Sequence, residues 1–62
     1  MKTIVSMKVV LFLNKDLGLS YSSIHLGIKI SLKKNIPLPL ALWSNSLIST
    51  EELDKFYDFM WN

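Results

Sequence analysis

His25 is the single side chain of this 62-residue chain that could serve as a general base near neutral pH, and it stands alone. To activate a serine it would need an orienting carboxylate, and the one acid outside the C-terminal stretch is Asp16, in a segment with turn chemistry. There is no Cys, which removes a thiol nucleophile, a thiolate metal site and a disulfide framework together. A metal on His25 would require a cluster of carboxylates around it. Four acids do cluster, Glu51, Glu52, Asp54 and Asp58, but in the pattern of a solvated helix face whose first-turn acids compensate the dipole. Gly18 and Gly27 are isolated, so no Gly-rich phosphate loop exists. The expectation is a protein without catalytic residues, metal or cofactor, which acts by binding.

Two sets of residues could do the binding. The first is apolar. The run Val9–Leu13 is hydrophobic on both faces of an extended strand, and one helix can cover only one face of a sheet. Val10 and Phe12 are therefore candidates to meet a protein partner, with Trp43 as an aromatic neighbour. The competing arrangement folds Phe12 over the bare backbone of Gly27. The second set is basic: Lys8, Lys29 and Lys33 on the outer sheet face near His25, with Lys34 in the turn that follows. Lysines beside aromatic rings can hold single-stranded nucleic acid by charge and stacking. All seven basic residues are Lys and none is Arg, the residue preferred for bidentate phosphate and base recognition. The four acids near the C-terminus would also repel a polyanion.

These residues need elements to position them. From Ile24 to Lys33 the sequence alternates strictly, Ile24, Leu26, Ile28, Ile30 and Leu32 on one side and His25, Gly27, Lys29, Ser31 and Lys33 on the other. Period two predicts a half-buried strand over about 22–33. The string Ser-Ser-Ile-His-Leu-Gly-Ile has some likeness to the turn of a helix-turn-helix, but its alternation with β-branched residues argues for the strand. Residues 3–13 form a second strand, joined to the first by the turn residues Asn14 to Gly18, with either a loop that extends to about Ser22 or a bulge at Ser22–Ser23 to correct the register. Residues 36–43 alternate again, and Pro37 and Pro39 remove donors from one side only, so this third strand lies at an edge. The end is the best-specified element. Ser49 and Glu52 have capping-box spacing, Ile48 and Leu53 have hydrophobic-staple spacing, and Leu53, Phe56, Tyr57, Met60 and Trp61 make one apolar stripe over a helix at about 50–61.

The expected fold is α+β: a three-stranded antiparallel meander with one C-terminal helix packed on one face, β-β-β-α, as a single domain over residues 1–62. A chain of this size buries only about 60% of its unfolded surface, yet half its residues are hydrophobic. That surplus points to oligomerisation or to docking on a larger partner. Self-pairing through strand one is one route. No apolar run approaches the ~18 residues of a membrane span, and no signal peptide is evident, which points to the cytoplasm of the producing or host cell. The net charge is +2, with six Lys against one acid in residues 1–48. Abundant Lys, Asn, Ile and Ser without Arg suggest an AT-rich coding sequence, as in phages and plasmids. The leading expectation is a small protein acting stoichiometrically on a protein partner, an accessory or inhibitor of a host defence or regulatory complex from a phage or mobile element. The alternatives are a nucleic-acid-binding module using the basic face and a structural subunit of a larger assembly.

Overall fold

A computed structural model describes residues 6–61. Four helices follow one another: α1 (Met7–Lys15), α2 (Tyr21–Lys34), α3 (Leu38–Ser44) and α4 (Thr50–Trp61). No strand occurs among the described residues. The β-β-β-α expectation is thereby overturned in all three strands, and with it the α+β class. Residues 3–5, assigned to the first strand, lie outside the described residues.

The reason lies in α2. Its buried positions are Ile24, Gly27 and Ser31, with Ile28 half-buried beside them, which is i, i+3, i+4, i+7 spacing. The face that packs therefore carries a glycine and a serine, and its helical period is invisible to a count of apolar residues. The alternating set is split around the helix instead, with Leu26 and Leu32 left exposed. Local chemistry at both ends supports the helix. The Ser20 hydroxyl accepts the Ser23 amide N–H at 3.2 Å, an N-cap bond. Asn35 closes the helix in the left-handed region at φ 57°, and the Ile36 amide donates back to the Ser31 carbonyl. The Ser31 hydroxyl donates to the Ile36 carbonyl at 2.6 Å, which satisfies the one buried polar side chain among the described residues.

The two-sided apolar run that read as strand one is α1, with Val9, Phe12 and Leu13 turned to the core and Met7 and Leu11 outward. Ser6 caps its N-terminus through the Val9 amide at 3.3 Å. Gly18, at φ 71°, turns the chain between α1 and α2, and Asn14 braces the loop by donating to the Leu19 carbonyl at 2.8 Å. The prolines read as edge-strand protection instead open α3: Pro37 precedes it and Pro39 occupies its first turn, where a missing N–H has no helical partner to lose. The terminal helix forms where its signals place it. The Ser49 amide donates to Glu52 Oε1 at 2.9 Å, and the Glu52 amide donates to Ser49 Oγ at 3.2 Å, a reciprocal capping box.

The helices pack α1 on α2, α2 on α3 and α3 on α4. Leu13, Ile24, Leu42, Ile48 and Phe56 form the buried centre, and Phe56 is the part of α4 that closes it. No helix among the described residues is long and apolar enough to cross a membrane.

Candidate functional site

Trp43 sits on α3 with the turn from α3 to α4 beside it. The short α3 buries Pro39, Ala41 and Leu42 and so turns Leu40 and Trp43 outward, three residues apart and adjacent on the helix surface. The indole is 43% exposed, yet it is not loose: its Nε1–H donates to the Thr50 hydroxyl at 3.3 Å. Thr50 opens α4 directly after Ser49 of the capping box, so the bond ties the ring to the N-terminus of the neighbouring helix. Beside the ring lies a shallow depression whose floor includes Leu47 and the buried Ile48 and whose edge carries Ser46, Ser49 and Glu52. The connecting turn is shaped by Ser46 at φ 61°, by Asn45 donating to the Ala41 carbonyl at 2.9 Å, and by the Leu47 amide donating to the Leu42 carbonyl at 2.8 Å. An aromatic anchor with a fixed orientation, one apolar neighbour and a polar rim is the usual anatomy of a protein-contact spot.

The other apolar candidates are placed differently. Phe12 stacks on Phe59 of α4 with ring centroids 4.1 Å apart and planes 10° from parallel, and stands 6.0 Å from Phe56. Val10 is half-buried against the same core. Both find within the chain the cover that a sheet would have denied them. Phe12 does not lie over Gly27; Leu42 and Leu38 do. Trp43 is thus not brought together with Val10 and Phe12.

Of the basic candidates, Lys29, Lys33 and Lys34 are exposed on α2. Lys8 belongs to the first turn of α1, next to a depression formed with Val9 of α1 and Phe59 and Met60 of α4. His25 is exposed on α2. Among the described residues, no group of three or more His, Asp or Glu side chains converges as metal ligands would. Leu40, next to Trp43 on the surface of α3, escapes a reading of residues 36–43 as a strand, and Leu47, in the depression beside the ring, lies beyond that segment. The i, i+3 spacing of Leu40 and Trp43 is the signal that a helical reading would have used.

No curated protein and no solved structure matches the chain. A family model does match, over residues 6–61, the span of the four helices from the Ser6 cap to the end of α4, and the chain accordingly belongs to that family, described as a protein of unknown function, DUF2949.

Proposed function

We propose that this chain is a small non-enzymatic binding domain that acts stoichiometrically on a protein partner, with Trp43 as its anchor. The observation that carries the reading is the half-exposed indole held by the Trp43–Thr50 hydrogen bond beside an open depression. A large apolar ring left in water is unfavourable for a monomer, and a ring already fixed in one orientation loses little freedom on binding. Tryptophan is also among the residues that most often dominate interface energetics.

The test is affinity capture with the full chain as bait, followed by mass spectrometry and titration of the recovered protein. Trp43→Ala should weaken capture about 30-fold or more, the equivalent of a hot-spot loss of ~2 kcal/mol. Val10→Ala should weaken it far less, because Val10 packs inward. Equal capture by the wild-type chain and Trp43→Ala would remove the anchor, and with it the reading.

A further inference from the structure

Charge is segregated between two helices of this fold. Helix α2 carries Lys29, Lys33, Lys34 and His25 and no acid, whereas α4 carries Glu51, Glu52, Asp54 and Asp58 against Lys55. Among the described residues, Lys29, Lys33, Glu51 and Asp54 make no ion pair within the chain. Each helix also leaves apolar surface on the same side as its charge. On α2, Leu26, Lys29, Ile30 and Lys33 follow i, i+3, i+4, i+7 spacing, with Leu26 45% exposed and Ile30 half-buried. On α4, Asp54, Tyr57 and Trp61 share a stripe, with Trp61 76% exposed. A shallow depression lined by Glu51, Leu53, Asp54 and Tyr57 lies along that stripe.

We propose that the outer face of α2 in one copy docks antiparallel on the outer face of α4 in a second copy. The order of residues along the two helices selects the antiparallel sense. From the N-terminus, α2 presents Leu26, then Lys29 and Ile30, then Lys33; read backwards, α4 presents Trp61, Tyr57, Asp54 and Glu51. Leu26 and Ile30 thereby meet Trp61 and Tyr57, Lys33 falls level with Asp54, and Glu51 lies one turn beyond it. The spacings agree: four residues, about 6 Å of helix rise, separate Leu26 from Ile30 and Tyr57 from Trp61, and three, about 4.5 Å, separate Ile30 from Lys33 and Asp54 from Tyr57. The antiparallel sense also sets the negative C-terminal end of the α2 dipole beside the positive N-terminal end of α4. Parallel docking would set Leu26 against Glu51 and leave Trp61 beyond the end of α2, without an apolar partner there. The contact spans only a few helical turns, so the association belongs with the small, weak interfaces.

The α4 depression shares Thr50 with the Trp43 depression, but neither Trp43 nor Leu47 belongs to the proposed contact, so substitution of Trp43 tests the two readings apart. Sedimentation equilibrium of the full chain at about 200 µM tests it, a concentration suited to a small, weak interface. The wild-type chain should exceed monomer mass at about 0.1 M salt and approach it at about 1 M, as the Debye length drops from ~10 to ~3 Å. The reversals Lys29→Glu with Lys33→Glu, and Glu51→Lys with Asp54→Lys, should each give a monomer with unchanged helical circular dichroism. Mixing the two variants should restore association, since each then meets an opposite charge, and Trp43→Ala should associate as the wild type does. Should a reversal fail to fold, Lys29→Gln with Lys33→Gln should still shift the equilibrium toward monomer. A wild-type monomer under all conditions, or association that the reversals leave intact or the mixture fails to restore, overturns the proposal.

Discussion

The backbone of Gly27 on α2 is seated against the side chain of Leu42 on α3 with no room for a methyl group between them. A Cβ at Gly27 would overlap Leu42 Cδ2 and stand 3.1 Å from Leu42 Cγ and 3.5 Å from Leu38 Cδ1. Leu42 is fully buried and has little space into which to retreat. The glycine is what lets α2 and α3 approach closely enough to share the core, and it explains why a residue poor in helix propensity sits in mid-helix.

Gly27→Ala should therefore destabilise the fold although it favours α2 locally. The helical gain is about 1 kcal/mol, whereas crowding a packed core costs ~1–3 kcal/mol, so a net loss of about 1 kcal/mol is expected. Gly27→Val adds further bulk and should lose more. Urea denaturation of the two variants decides it, and an alanine variant more stable than the wild type would show that the helices are not in close contact there.

Ser31 gives a second test, because a buried hydroxyl bonded to the Ile36 carbonyl is required only if residues 21–34 form a helix that ends at Asn35. Ser31→Ala removes the donor, and the loss should be about 1–2 kcal/mol. On an exposed strand face the same change would be close to neutral. The thermal midpoint of this one variant thus separates the two folds, and far-UV circular dichroism should show the helical double minimum.

Phe56→Ala should be the most damaging single truncation. The ring is fully buried and joins Leu13 of α1 with Leu42 of α3. The loss should reach about 3–5 kcal/mol, a large share of the stability of a domain this small. A cooperative transition at an unchanged midpoint would mean that α4 does not close the core.

How far the fold could be read from the chain depends on which physical signal each element carries. Helix α4 was legible because Ser49, Glu52 and the stripe through Phe56 agree with one another at the helical period. Helix α2 was not. Its packed face contains Gly27 and Ser31, chosen for close approach and for a hydroxyl bond, and its two exposed leucines complete a false alternation with Ile24, Ile28 and Ile30. The caps, Ser20 and Asn35, were the correct evidence, but short polar residues also read as strand ends. In α3, Pro37 and Pro39 were ambiguous, since a missing N–H suits both an edge strand and the first turn of a helix. The candidate site follows the same division. Trp43 was singled out from its residue type alone, whereas its neighbours Leu40 and Leu47 and the tie to Thr50 depend on the helical geometry. Phe12 needed Phe59 of α4, a pairing that no local pattern announces.

The last prediction concerns nucleic acid. Lys29, Lys33 and Lys34 form an exposed cationic set on α2, and Lys8 stands on α1. Leu26 and Leu32 are exposed on α2 among these lysines, and apolar side chains gain nothing from phosphates. The acids of α4 repel a polyanion at close range. Oligonucleotide binding should then be weaker than ~1 µM at physiological salt. Its log–log salt slope should be no steeper than about −3 to −4, the limit for four phosphate contacts. Lys29→Glu should weaken it equally for every sequence, because a lysine–phosphate contact reads no base. Trp43→Ala should leave it unchanged while weakening protein capture. Fluorescence anisotropy with labelled single- and double-stranded oligonucleotides measures each of these. Submicromolar, sequence-selective binding that is lost in Lys29→Glu and retained in Trp43→Ala would transfer the function from the indole on α3 to the lysines on α2.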